Sequence, residues 1–363
     1  MKIAIITPRF SISGVPLAQI RFARSLADKG FDVDLIIGHI PKKNKLPPLP
    51  NLNKIIVTKN NKVKFMLVPI MKYLVLNKPK IIFSAEDHLN IIVIFAAILT
   101  FSSVKISGSS RVTPYDTYSS KIFSKGWVLK QLMKLVMWRA DVLTCVSKDM
   151  VKQYGKVFKN PKHVYAYNIV DDYTSRSRLN EDVDHEWFNE KKTPIILAAG
   201  KLAPWKGFSY LIKAIKIIEK KTDAKLIILG DGELRNELQK LINDLGLSNR
   251  IQLLGYVENS LKYFSKANIF VLSSLVEGLP NVLVESMLCG CTPVSTNCPT
   301  GPNEVLNNGK YGYLVNVKDA KDLARGINEA LKKPIDKMKL EKAITPFRDT
   351  EVIKRHFKLL NIN

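Results

Sequence analysis

Two doubly wound α/β domains are the fold class this sequence predicts, and three observations carry the prediction. The chain has 363 residues, more than a single hydrophobic core usually organises. Apolar strand-like runs alternate with stretches of helical spacing, the pattern of a parallel sheet with crossover helices. That alternation breaks at the polar stretch "DDYTSRSRLNEDVDHEWFNEKK" (171–192) and then restarts, which makes this stretch the linker candidate.

In chain order, "KIAIITP" (2–8) reads as a buried strand, "RFSISGVP" as its loop, "LAQIRFARSLADKG" as a helix stopped by Gly30, and "FDVDLII" as the next strand. This is a βαβ unit. "IIF" (81–83), "VKISG" (104–108) and "VLTCVS" (142–147) continue the first sheet. After the linker candidate, "PIILAAG" (194–200), a helix over about 207–220, "AKLIILG" (224–230), "IQLLG" (251–255), "IFVLSS" (269–274) and "TPVST" (292–296) build the second. Such domains hold ligands at the carboxyl ends of their strands, in the crevice between facing domains.

Composition narrows the class. With 46% hydrophobic and 24% charged residues the chain is globular and not disordered. Four cysteines, Cys145, Cys289, Cys291 and Cys298, are too few for a disulfide framework, and the start "MKIAIITPRF" reads as a strand and not as a signal peptide. A reducing, cytoplasmic setting is expected. The spacing of the clustered cysteines matches no zinc pattern, so buried structural thiols are expected. The longest apolar run, "LNIIVIFAAILTF" (89–101), has 13 residues, short of the ~20 a membrane span needs, and reads as a core helix.

The net charge of +24 is uneven: residues 1–175 carry 27 basic and 10 acidic side chains, a surplus of +17, against +7 for the rest. A field of that size attracts phosphates of nucleic acid, anionic lipid or nucleotide. No nucleic-acid-binding motif is present, which argues against that partner. The segments "KVKFMLVPIMKYLVLNKPK" (62–80) and "SSKIFSKGWVLKQLMKLVMWRA" (119–140) interleave lysines with aromatic and aliphatic residues, as an anionic membrane surface would require. A solvated basic face on core helices is the alternative.

Four loops are candidates for chemistry. Gly14 sits before a helix start, where unpaired N–H groups and the helix dipole favour an anion. "AAGKLAPWKGFSYLIKAI" (198–215) places Lys201 and Lys206 in a loop after a strand, and two ammonium groups suit a diphosphate. "LGDGELRNELQKL" (229–241) has the pair Gly230 and Gly232 but lacks the third glycine of a dinucleotide fingerprint, so it reads as a tight turn. Finally, "LVEGLPNVLVESMLCGC" (275–291) sets Glu277 before a turn of Gly278, Leu279, Pro280 and Asn281, and Glu285 on the helix that follows. Both carboxylates can address one extended ligand; a capping or salt-bridged pair is the structural alternative.

These residues together resemble retaining glycosyltransferases of family 4, which have the GT-B fold: two Rossmann-like doubly wound domains facing across a cleft. The resemblance rests on "EGLPNVLVESMLCGCTPVSTNCPTGPNEVL", a Glu-x7-Glu signature, with "GKLAPWKGFSYLIKAI", "ILGDGEL", "LLGYVENSLKYFSKANIFVLSS" and the Gly14 loop in the family's order. It spans the chain, is specific in 194–315 and loose in 40–140. It implies an acceptor-binding domain over 1–175, rejoined by a C-terminal helix within 346–363, and a domain over 190–345 that binds a nucleotide-sugar. It further implies Glu285 on the ribose, Glu277 and the backbone of Gly278, Leu279, Pro280 and Asn281 on the donor sugar and its phosphate, and Lys201, Lys206 and Gly14 on the diphosphate. Lys206 and Glu277 are the catalytic candidates. No metal or other cofactor is implied.

Two departures matter. Position 201 is usually arginine in the family, and Lys201 keeps the charge but loses the bidentate fork. Many members place a histidine after the strand that "VKISG" forms, where this chain reads "SGSSRVTPYD". Arg111 in that stretch and His88 in "SAEDHLN" are the acceptor-side or base candidates, although a lone histidine is more often structural. The expected function is transfer of a hexose from a nucleotide-sugar, UDP being common in the family, to a lipid-linked or envelope glycan acceptor at the inner face of the membrane. A non-catalytic subunit that binds nucleotide and a partner enzyme is the competing reading; an epimerase or phosphorylase of this fold is the weaker one.

Overall fold

The computed structural model describes residues 1–11, 14–42, 44–59, 62–159, 163–189 and 193–362. The chain divides into two compact units: Met1–Ile169 with Asp349–Asn363, and Val170–Arg348.

The first unit is a seven-stranded parallel sheet, β1 (Lys2–Arg9), β2 (Asp32–His39), β3 (Lys54–Val57), β4 (Ile81–Ala85), β5 (Lys105–Ser110), β6 (Val142–Cys145) and β7 (His163–Tyr165), in the order 3-2-1-4-5-6-7. Six consecutive residues of β1 are buried, because helices cover both faces of a parallel sheet and an alternating pattern would place polar groups in a core. The register is continuous, with Ile3 opposite Val33 on one side and opposite Ile81 on the other. The apolar run at 89–101 lies mostly in the core helix Asp87–Leu99, and among the described residues no helix is long and apolar enough to cross a membrane. Strands β3 and β7 escape the sequence reading: β3 is a largely exposed edge strand, and β7 has three residues.

The last helix, Asp349–Leu359, belongs to the first unit, where Val352, Ile353 and Leu360 join Ile3, Ile5 and Leu35 in one core. Lys29 pairs with Asp349 at 2.8 Å, and Lys105 donates to the Leu360 carbonyl. His356 sits between the rings of Phe22 and Phe83, at 5.1 and 5.3 Å.

The second unit is a six-stranded parallel sheet of β8 (Ile195–Ala199), β9 (Lys225–Leu229), β10 (Ile251–Gly255), β11 (Ile269–Leu272), β12 (Thr292–Thr296) and β13 (Tyr313–Val315), in the order 10-9-8-11-12-13. Both sheets therefore share the dinucleotide-fold order, reversing direction between their first and fourth strands. The linker candidate is instead packed structure over its described part. Arg178 accepts from Asn259, Leu179 from Ser265 and Asp182 from Lys262, each through a backbone carbonyl, so the polar stretch is solvated by the second unit's side chains and not only by water. Residues 190–192 of it lie outside the described residues. Where the chain enters and leaves this unit, the Val170 N–H donates to the Phe347 carbonyl at 2.9 Å, and buried Asp171 pairs with Arg176 at 2.6 Å and Arg348 at 3.1 Å.

Two histidines of the first unit are buried without partners for their ring nitrogens: both nitrogens of His163 and Nδ1 of His356. Burial pushes His163 down to about 4 and His356 down to about 3, so both are neutral in the folded state at pH 7. A depressed pKa contributes stability that is present above the unfolded value of ~6.5 and lost as pH falls toward the folded value. Unfolding free energy measured in urea should accordingly fall by roughly 2–3 kcal/mol per pH unit near pH 5 on account of this pair. His356→Gln should remove about half of that slope. An unchanged slope would show that His356 titrates as freely in the folded state as in the unfolded one.

Candidate active site

The reversal between β8 and β11 decides which loops of the second unit lie side by side. β8 pairs with β9 on one edge and β11 on the other, with Ile196 opposite Ile269. The loop after β8 carries Lys201 and Lys206, and the loop after β11 carries Glu277. The Lys206 ammonium meets Glu277 Oε1 at 2.5 Å, with the side chains only 17% and 11% exposed.

Backbone and hydroxyl groups hold the two loops together. The Leu275 N–H donates to the Trp205 carbonyl at 2.7 Å, and Ser273 Oγ donates to the Lys206 carbonyl at 2.8 Å. Gly207, at φ +64°, lies against the same strand end, where a Cβ would stand 2.2 Å from the Ser273 carbonyl oxygen. No side chain fits there. Ser274 Oγ donates to Glu277 Oε1 at 2.7 Å, Thr296 Oγ1 donates to the Ser274 carbonyl at 2.5 Å, and Thr300 Oγ1 donates to the Glu277 carbonyl. Gly301, at φ +90°, packs on the turn itself, since its Cβ would meet the Gly278 oxygen at 2.8 Å and Pro280 Cδ at 2.6 Å. These serines and threonines are supporting residues that sequence reasoning passed over; the runs "LSS" and "STNCPTGP" at strand ends are the signal that could have found them.

Each remaining candidate has a definite place. Lys201 is exposed, its ammonium 5.4 Å from the Trp205 ring centroid, which holds a positive charge over the short Pro204–Lys206 turn. Gly278, Leu279 and Pro280 lead into the helix Asn281–Leu288, and Glu285 is the fifth residue of that helix. The glycine-pair loop is tied to the lysine loop, since the Leu202 N–H donates to the Asp231 carbonyl and the Leu234 N–H to the Leu202 carbonyl, each at 3.0 Å. The four thiols are free, and Cys291 donates to the Phe264 carbonyl at 2.9 Å. Cys298, near Glu277, is pushed up to about 12 by burial.

Gly14, His88 and Arg111 belong to the first unit. Gly14 opens the helix Gly14–Asp28 and is exposed; Ile12 and Ser13 of its loop lie outside the described residues. His88 Nε2 pairs with Glu86 at 3.1 Å. Glu86 has φ +79°, an unusual conformation for a side-chain-bearing residue, and no sequence pattern signalled it. Arg111 donates to Asn168, and burial lowers it to about 10 while the nearby Glu86 charge opposes the shift. With Gln19, Ser107 and His356 it lines a small cleft in which Arg111 Nε, Gln19 Oε1 and Ser107 Oγ have no hydrogen-bond partner.

Two parallel sheets, each in this strand order, fit the GT-B fold that the sequence resemblance implies. Comparison with known proteins identifies the family. Residues 180–345 match the model of glycosyl transferases group 1. An uncharacterised glycosyltransferase of Methanocaldococcus jannaschii is 32% identical over 306 residues, 77% of this chain and 74% of that protein. The chain therefore belongs to the glycosyl transferases group 1 family. It is also similar to the N-acetylgalactosamine-N,N'-diacetylbacillosaminyl-diphospho-undecaprenol 4-alpha-N-acetylgalactosaminyltransferase of Campylobacter jejuni, with 34% identity covering 60% of this chain and 58% of that protein. Among solved structures, HepE of Anabaena in complex with UDP aligns with a TM-score of 0.77 at 17% identity, covering 99% of this chain and 100% of that one. The fold is GT-B.

Because the Lys206–Glu277 pair is mostly withdrawn from water, losing one partner strands the other. Lys206→Met should lower the second unit's unfolding free energy by about 3 kcal/mol, and the double variant Lys206→Met/Glu277→Leu should recover part of that loss. Additive losses in urea titrations of the single and double variants would show the contact to be energetically idle.

Proposed function

We propose that this glycosyltransferase moves a hexose from a uridine diphosphate sugar to a lipid-linked or envelope glycan acceptor, with retention at the anomeric carbon, at the cytoplasmic face of a membrane. The observation that carries the reading is the Lys206–Glu277 contact at the strand reversal. An ammonium has three N–H donors, and one of Lys206's goes to Glu277. The others suit the oxygens of a diphosphate. As the bond from the anomeric carbon to the diphosphate oxygen breaks, its electron pair moves to that oxygen, the acceptor hydroxyl oxygen bonds the anomeric carbon on the same face, and the hydroxyl proton passes to the departing diphosphate; a cation fixed in advance stabilises the charge without reorganising. Lys201 adds a second charge from the rim.

Glu277 plays two parts in this scheme. Both Lys206 and Ser274 donate to Oε1, which leaves Oε2 to accept from a hydroxyl of the donor sugar. The backbone of Gly278, Leu279, Pro280 and Asn281 contacts the sugar and its phosphate, and Glu285 accepts from the ribose diol. Exposed N–H groups at Gly14 are a further anion contact. Arg111 and His88, both within the influence of Glu86, are proposed for the acceptor side. Two relatives support the substrate classes: the Campylobacter jejuni enzyme is named for a diphospho-undecaprenol-linked acceptor, and HepE was crystallised with UDP.

The test is a panel of nucleotide-sugars, with and without a lipid-linked acceptor fraction, scored for released nucleoside diphosphate. Lys206→Ala should lower turnover at saturating nucleotide-sugar by roughly 100-fold or more, the scale of losing one preorganised charge-stabilising group. Glu285→Ala should chiefly raise KM for the nucleotide-sugar. Unchanged turnover in Lys206→Ala would remove its leaving-group role, and nucleotide binding without release under every condition would favour a non-catalytic subunit.

A further inference from the structure

We infer that one helical layer of the first unit is a docking face for an anionic lipid bilayer. The layer consists of the helices Leu67–Asn77, Asp87–Leu99 and Lys125–Val136, the first packed on the second and the second on the third. The inference rests, for its purpose, on the lipid-linked acceptor proposed above, while the binding itself needs neither nucleotide-sugar nor acceptor.

The orientation of the helices is the observation. Helix Lys125–Val136 buries Met133 and Val136 and turns Val128, Leu132 and Leu135 outward, at spacings of four and three, with Trp138 continuing the line. Those positions on a water-facing helix normally carry charge, yet Leu135 is 67% exposed and Trp138 63%. On helix Leu67–Asn77 the same inversion leaves Val68 at 70% and Leu76 at 68%. Phe123, in the loop before the third helix, is 86% exposed. Large apolar side chains exposed together along a helix face mark an interaction site.

Charge selects the occupant. Lys62, Lys64, Lys72 and Lys78 surround the first helix and Lys121, Lys125 and Lys134 the third, all exposed, and neither 62–80 nor 119–140 contains a carboxylate. A second copy of this chain would set lysine against lysine, whereas anionic headgroups neutralise them while the acyl region receives the leucines and aromatics. With twelve residues the third helix spans about 18 Å at 1.5 Å per residue, too short to cross a hydrocarbon core of ~30 Å, so it lies in the interface.

The test is flotation with vesicles of equal parts phosphatidylglycerol and phosphatidylcholine, against phosphatidylcholine alone, at low and high salt. The protein should float with the anionic vesicles only. Trp138 emission should shift to the blue and be quenched by lipids brominated in the acyl chain, a signal that Trp138→Phe loses while still floating. Leu132→Ser/Leu135→Ser/Trp138→Ser should lose at least tenfold in partition, and Lys121→Gln/Lys125→Gln/Lys134→Gln about fivefold per lysine with a flatter salt dependence. No flotation at low salt, unimpaired flotation of the serine variant, or salt-sensitive flotation without Trp138 quenching would each overturn the inference. So would a concentration-dependent dimer that the serine variant abolishes while vesicles go unbound. Lys206→Ala should float normally and the serine variant should still cleave the nucleotide-sugar, which separates failure of the docking face from failure of the transfer reading.

Discussion

The parallel pairing of β8 with β11 is the constraint on which the second unit's chemistry depends. A crossover helix can return on either face of a sheet, and the chain reverses its direction of growth once, so that β9 and β11 end up on opposite sides of β8. Where growth reverses, two neighbouring strand ends carry loops that lead to separate crossovers, and it is at such a switch point that doubly wound sheets hold their ligands. Lys206 follows one of those strands and Glu277 the other. The first unit repeats the arrangement with β1 and β4, which puts Gly14 after one and Glu86 and His88 after the other.

An ion pair at such a place is a different object from a surface salt bridge. Exposed pairs contribute little, because water competes for both partners. Here the carboxylate and the ammonium are mostly withdrawn from solvent, and the hydroxyls of Ser273, Ser274 and Thr300 donate to the Lys206 carbonyl, the Glu277 carboxylate and the Glu277 carbonyl in turn. The cost of holding a lysine side chain in one conformation is thereby met before any ligand arrives, which is the sense in which a site is preorganised. The first unit spends its stability differently: it keeps His163 and His356 neutral inside aromatic surroundings and uses the returning C-terminal helix to complete its core.

How much of this was legible follows from period and length. Strands such as β1 and β8 are continuous apolar runs bounded by loops, and so are visible in one dimension. β3 and β7 are not, since an exposed edge strand and a three-residue strand owe their conformation to the neighbour they pair with. The stretch 171–189 looked like a linker because it is polar, but polarity cannot tell a segment hydrogen-bonded to water from one hydrogen-bonded to Asn259, Lys262 and Ser265. The inverted helices were half legible: interleaved lysines and apolar residues showed in the sequence, and which of them face outward did not.

By itself the sequence determined the alternation of strands and helices, the division near the middle of the chain, the concentration of positive charge in the first half, and the presence of lysines and glutamates in strand-end loops. Those are properties of local spacing and composition. Tertiary structure alone decided that Lys206 and Glu277, 71 residues apart, touch; that Glu86 adopts a positive φ; and that Leu132, Leu135 and Trp138 meet solvent. Each depends on strand order or helix rotation, which are fixed by packing between segments distant in the chain and leave no mark on the spacing of residues within any one of them.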